Sequence, residues 1–207
     1  MKRQVGSVIE NYVSEKLFGK VLSLGEIKSK LHGQNPAIVA QRVALALEGI
    51  HEEGGENNGT LVRSIQETVG TAEREAWCMS TQQTIEGIVE KWCEVESSFP
   101  VSEHCVTVFQ EAKKKGQVVS NPQVNDVIIW QKYSAGVPTS QGHTGRVVVD
   151  GDSQVQTVEG NTSASSAGGV TREGDCVAKK IRDIKGYGNM HVLGFVRITY
   201  KEAAKNA

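Results

Sequence analysis

The sequence predicts an α+β fold, with helices first and an antiparallel sheet afterwards. As far as Gly116, apolar residues recur at helical spacing between capping signals. After Pro122 the pattern changes to short runs rich in Val, Ile and aromatic residues, separated by turn residues. Between two of these runs, Asp150-Gly151 is a strong hairpin turn signal, which makes the neighbouring strands antiparallel. No internal repeat is present.

Val5, Val8, Ile9, Tyr12, Val13 and Leu17 fall at helical spacing, and Gly19 supplies a stop. Ser23 and Glu26 match a capping box for a short second helix containing Ile27 and Leu31. Asn35-Pro36 reads as N-cap and first position of a third helix, whose buried stripe is Val39, Val43, Ala46 and Ile50. Residues 1–34 are therefore expected to form a small helical extension, a packing appendage to a main domain over 35–207. Residues 54–59 are a polar, glycine-rich loop, and 61–69 a short helix. Cys78 opens a helix striped by Ile85, Ile88, Val89 and Trp92; Gly87 inside it costs about 1 kcal/mol relative to Ala. Residues 101–115 read as one more helix, with His104 and Cys105 in its interior. Strands are expected over 127–130, 146–149, 155–158, 176–181 and 192–200, with a small-residue loop over 163–169.

A chain of 207 residues is long enough to bury a core, as one ordinary domain plus a small appendage. Its 23 Lys and Arg against 24 Asp and Glu generate no field that favours nucleic acid or an anionic membrane. No run is long and apolar enough to span a bilayer, so no membrane insertion is expected. Met-Lys-Arg-Gln-Val-Gly is not followed by the apolar core of a secretory signal, so none is expected. Without one, Cys78, Cys93, Cys105 and Cys176 are expected as thiols rather than a disulfide framework.

Three segments stand out in chain order: Ala76-Trp77-Cys78-Met79-Ser80, Gly142-His143-Thr144-Gly145 and Val158-Glu159-Gly160-Asn161-Thr162. A thiol, a base and a base-orienting group are what covalent acyl transfer needs. A Trp-Cys at a helix start, a Gly-His-x-Gly entering a strand and a Glu-Gly-Asn-Thr ending the next strand resemble the CHAP family. These are the cysteine, histidine-dependent amidohydrolases and peptidases that cut bacterial peptidoglycan. Residues 49–59 look like the Glu- and Asn-Gly-rich lead-in of phage-type members, and Gly194-Phe195-Val196-Arg197 like their closing strand. The resemblance covers roughly residues 39–200 and leaves the N-terminal helices unexplained. Ala76 stands where many relatives have Pro, and residues 79–84 are more polar than the run usual after the cysteine.

The resemblance implies a papain-like, NlpC-type architecture, in which the helix carrying Cys78 packs on an antiparallel sheet carrying His143 and Glu159. It also implies a phage-type endolysin that degrades peptidoglycan, held in the host cytoplasm until a holin releases it to the wall. Two readings stand beside it: an interbacterial amidase effector delivered by a secretion machine, and a non-catalytic CHAP-like module with a wall-binding or structural role.

The chemistry of the residues agrees with an acyl-transfer site. A thiol titrates near pH 8.5 and is a poor nucleophile at neutral pH unless its thiolate is favoured. A helix N-terminus and a neighbouring imidazolium both favour it. Glu159 is the first candidate to orient His143 through its far nitrogen. Asn161 is the second, because side chains two apart on a strand face the same way. Trp77 is expected to pack, with a wall-facing sugar platform as the alternative. His32, His51, His104 and His191 lack the Gly-His-x-Gly setting and the following carboxylate strand. Cys93, His104, Cys105 and Cys176 lack the paired spacing of a zinc site. Asp150-Gly151-Asp152-Ser153 resembles the start of a calcium loop but lacks the remaining ligands, so no cofactor or metal is expected, although some CHAP domains bind calcium. Nothing singles out the opposed carboxylates of a glycosidase. The bond expected to break is an amide of the stem peptide or cross-bridge, or the muramoyl–L-alanine link.

Overall fold

The computed structural model describes residues 2–164 and 174–204. Five helices lead: α1 (Ser7–Phe18), α2 (Leu24–Leu31), α3 (Pro36–Ala46), α4 (Thr60–Glu67) and α5 (Cys78–Cys93). Strand β1 (Val95–Ser97) and helix α6 (Cys105–Lys114) follow. The rest is β2 (Val118–Val119), β3 (Val127–Ser134), β4 (Val137–Val149), β5 (Gln154–Thr162), β6 (Cys176–Asp183), β7 (Gly186–Tyr187), β8 (Met190–Val196) and β9 (Tyr200–Glu202). Among the described residues the larger sheet runs β2-β8-β3-β4-β5-β6, with β7 against β8; β1 and β9 form a separate ribbon. Every pairing is antiparallel. The class is α+β.

Local chemistry sets the helix ends. Gly19 closes α1 in the left-handed region, at φ 73°. Ser23 and Glu26 form both halves of a capping box on α2. Asn35 Oδ1 accepts from Ala37 N–H at 2.9 Å, with Pro36 at the first helical position of α3.

Helix α5 is the centre of the molecule. Its apolar stripe, Ile85, Ile88, Val89 and Trp92, joins one core with Ile9 and Val13 of α1, Ile27 and Leu31 of α2, Val39 and Val43 of α3, and Val148 and Val158 of the sheet. Residues 2–34 thus supply two helices, α1 and α2, that share their core with the rest of the chain. Arg3 reinforces this: it donates to Gln83 Oε1 at 2.7 Å and to Glu90 Oε1 at 2.8 Å, both on α5. Gly87 has its reason here, since a Cβ would lie 2.6 Å from Val5 Cγ2. The polar run after Cys78 is buried too, because partners meet it from several sides: Gln82 donates to Val158 O of β5, Gln83 to Pro100 O and Ser102 O, and Ser80 and Thr84 pair with Thr71 and Thr68; farther along α5 the sheet takes over. Arg146 of β4 meets Glu86 at 2.7 Å with both side chains fully buried, and its other amino group donates to Asn125 Oδ1 at 2.6 Å. Tyr200 and Ser97 also donate to Glu86.

Two expectations need correcting, half of one strand is additional, and one loop falls largely outside the described residues. The helix expected over 101–115 starts only at Cys105, so His104 is its N-cap rather than an interior residue. The strand expected over 192–200 breaks after Val196: Arg197 N–H bonds to Gln117 O at 2.9 Å, and the chain crosses to pair β9 with β1. The first half of β4 was not expected, because residues 137–141 are polar or exposed; Ala135 and Gly136, both at positive φ, turn β3 into it. Of the expected loop over 163–169, residues 165–169 lie outside the described residues.

Candidate active site

The thiol comes from the start of α5. Cys78 is its first residue, and Trp77 is its N-cap. Trp77 is fully buried and donates its indole N–H to Glu52 Oε1 at 3.1 Å. With no exposed face it cannot be a sugar platform; it anchors the helix start. The first turn sits directly on β5: a Cβ at Gly160 would overlap Thr81 Oγ1 and come within 3.1 Å of the Trp77 ring. The glycine between Glu159 and Asn161 therefore lets the helix approach the strand.

The base and its orienter come from adjacent strands. His143 on β4 and Glu159 on β5 are both fully buried, and their Nε2–Oε2 distance is 2.9 Å. A carboxylate has no proton to give, so Nε2–H is the donor. Glu159 is held on every side. Arg182 of β6 grips it with two bonds, Nε to Oε1 at 2.7 Å and an amino nitrogen to Oε2 at 2.6 Å. Thr157 donates to Oε1 at 2.7 Å. Burial alone would raise the Glu159 carboxyl, but Arg182 and His143 outweigh it and hold the group down to about 2.

Charge then passes along the chain. Burial disfavours a charged imidazole, yet the neighbouring Cys78 sulfur and the hydrogen-bonded, negatively charged Glu159 push His143 up to about 9. The Cys78 thiol is held well below its ordinary value: the neighbouring Cys105 thiol does most, burial opposes, and His143 and the Met79 N–H add to the lowering. Because Nε2 is committed to Glu159, Nδ1 is the nitrogen left for the sulfur. Nδ1 itself has no hydrogen-bond partner among the described residues. Both shifts run in the direction that favours a thiolate beside an imidazolium.

Cys78 and Cys105 lie on the floor of a cleft of about 950 Å³, with Gly142 on one side and Asn57, Arg74 and Gln141 on its walls. Comparison with known protein families, curated proteins and solved structures finds no match.

The fold thus brings Cys78, His143 and Glu159 together and leaves Asn161 out. The register between β5 and β6 slips between Glu159 and Thr162, and Asn161 takes φ 54° in the slip. Strict alternation is lost, so Asn161 turns away from His143. It donates instead to Asn57 Oδ1 at 2.7 Å and Gly174 O at 2.8 Å, tying β5 to the cleft wall.

Two residues of the site escape a reading of the sequence. Cys105 was placed inside a helix, whereas it opens one and points its sulfur to within 3.8 Å of Cys78 Sγ. Arg182 lies just past the strand expected over 176–181. The signal against it was polarity: on β6, Lys180 and Arg182 face inward while Ile181 is 56 % exposed. Among the described residues no cluster of three or more His, Cys, Asp or Glu is placed to hold a metal ion, and Asp150–Ser153 forms the turn between β4 and β5. No helix of the described residues is long and apolar enough to cross a membrane.

Proposed function

We propose that this protein is a cysteine amidase or endopeptidase that cuts amide bonds in the peptide part of bacterial peptidoglycan, with a papain-like arrangement of Cys78, His143 and Glu159. The observation that carries the reading is the buried chain Arg182–Glu159–His143, which ends at a thiol on a cleft floor. A solvated histidine needs no such support. A histidine that must stay charged inside a protein does.

In the reaction, the Cys78 thiolate adds to the amide carbonyl, and the carbonyl electrons move onto oxygen. The N–H groups at the first turn of α5, Cys78's own among them, have no partner within the helix and can receive that oxyanion. Collapse breaks the carbon–nitrogen bond as His143 gives its Nδ1 proton to the leaving amine. Water then adds to the thioester carbonyl as His143 takes its proton, the carbon–sulfur bond breaks to restore the Cys78 thiolate, and the acid product leaves. Glu159 holds the ring in one tautomer throughout, and Arg182 keeps Glu159 ionised. The peptidoglycan substrate and an endolysin role rest on the resemblance of the three motifs; the thiol chemistry rests on the geometry.

Digestion of purified cell wall tests both. Wild-type protein should release new amino groups without new reducing ends, and Cys78→Ala should release neither while keeping its circular dichroism spectrum and melting temperature. Reducing ends from wild-type protein, or undiminished amino release by Cys78→Ala, would sink the proposal.

A further inference from the structure

We propose that Cys105 is the resolving partner of Cys78, so that a peroxide converts the pair into a reversible disulfide which closes the site. The inference goes beyond the hydrolytic reading and does not depend on which bond that reaction cuts.

Three observations carry it. The sulfurs are 3.8 Å apart, so reaching a disulfide length of about 2 Å needs closure by only about 2 Å. Each cysteine is the first residue of its helix, Cys78 of α5 and Cys105 of α6, so the two helix starts bring the sulfurs together, and the positive end of α5 favours the Cys78 thiolate. Both line the cleft, where a peroxide-sized molecule has access to them. Cys105 is also held in place. A Cβ at Gly142 would be 2.9 Å from Cys105 Cβ, so β4 passes flush against the start of α6 and leaves Cys105 little room to shift on that side. The other two cysteines serve as internal controls: burial pushes the thiols of Cys93 and Cys176 up to about 11, where they stay protonated and unreactive.

The chemistry balances. The Cys78 thiolate attacks one peroxide oxygen; a sulfur–oxygen bond forms, the O–O bond breaks, and hydroxide leaves to take the His143 proton as water. The Cys78 sulfur is oxidised by two electrons to a sulfenic acid. Cys105 then attacks that sulfur. The S–S bond forms, the S–O bond breaks, and the hydroxyl departs as water with the Cys105 proton. Without a resolving thiol so near, the sulfenic acid proceeds to sulfinic acid, which dithiols do not reverse. With it, a dithiol reductant restores Cys78.

The test is non-reducing peptide mapping of the full-length protein after brief exposure to hydrogen peroxide and blocking with N-ethylmaleimide, alongside the rate at which iodoacetamide alkylates Cys78. Neither readout involves cell wall, so failure of the amidase reading leaves the test intact. Expected is a cross-linked peptide joining Cys78 to Cys105, a loss of Cys78 alkylation of at least about tenfold, and full recovery in dithiothreitol. In Cys105→Ser the cross-link disappears, and Cys78 is recovered as sulfinic acid that dithiothreitol does not restore. Should that variant fold poorly, the wild-type map decides alone. A wild-type protein in which no Cys78–Cys105 link forms, whether Cys78 is over-oxidised or untouched, overturns the proposal, as does a link to Cys93 or Cys176.

Discussion

Arg182→Met removes the guanidinium from Glu159 while keeping most of the side chain's volume. Glu159 then loses two charge-assisted bonds, at 2.7 and 2.6 Å, in a place where neither partner meets solvent: Glu159 is fully buried and Arg182 is 3 % exposed. Breaking a buried pair on one side typically costs about 3–5 kcal/mol, because the remaining charge is stranded. At roughly 2–4 °C per kcal/mol for a chain of this size, the melting temperature should fall by about 6–20 °C. The pH dependence identifies the cause. In the wild type Glu159 is held at about 2, below its unfolded value, so its stabilisation is fully present above about pH 4.5 and is lost as pH falls through that lower value. Without Arg182, burial is opposed mainly by His143 and the carboxyl rises, so the loss begins at higher pH. Thermal melts between about pH 3 and about pH 8 should therefore separate the two proteins most at neutral pH and bring them together in acid. Adding Glu159→Gln should recover part of the lost stability, since the stranded charge is gone. A variant that melts within a degree of wild type at every pH, or a double variant less stable than Arg182→Met alone, would refute the reasoning.

Hydrolysis and alkylation should part company with pH: above about pH 9 His143 loses the proton it owes the leaving amine and hydrolysis falls, whereas the Cys78 thiolate persists and iodoacetamide alkylation does not fall. Parallel upper limbs would contradict the ion-pair assignment. Gly160→Ala drives a methyl group into Thr81 and the Trp77 ring; it should cost about 1–3 kcal/mol and slow Cys78 alkylation by shifting the helix start, and an unchanged melt would show that β5 yields freely. Deleting residues 1–34 strips Ile9, Val13, Leu22, Ile27 and Leu31 from the shared core; at about 1.5–3 kcal/mol each, the loss rivals a whole domain's stability. The truncated chain should show no cooperative melt, and one that melts like the full chain would make the N-terminal helices a true appendage.

Local rules reach as far as local physics does. Gly19, the Ser23–Glu26 box and Asn35-Pro36 end or start helices through bonds spanning four residues or fewer, so they were legible without a fold. The same holds for the α+β class, and for Cys78 at the head of a helix. The pairing of His143 with Glu159 was legible in outline, since two short strands joined at Asp150-Gly151 must lie side by side. Tertiary structure decided the rest, because it depended on partners distant in the chain. Arg182 is turned inward because a carboxylate waits there, which overrides the preference of Ile181 for the interior. Asn161 is turned aside by a register slip that no alternation rule foresees. Cys105 became part of the site because α6 begins at it rather than four residues earlier, which aims its sulfur at Cys78. Residues 2–34 joined the main core because α5, buried from Cys78 to Val89, needs them as one of its walls. Sequence thus determined the elements and singled out the candidate groups, through short-range bonding and periodicity, and only packing decided how charge is favoured on those groups, since a buried charge takes its pKa from neighbours that sequence order does not disclose.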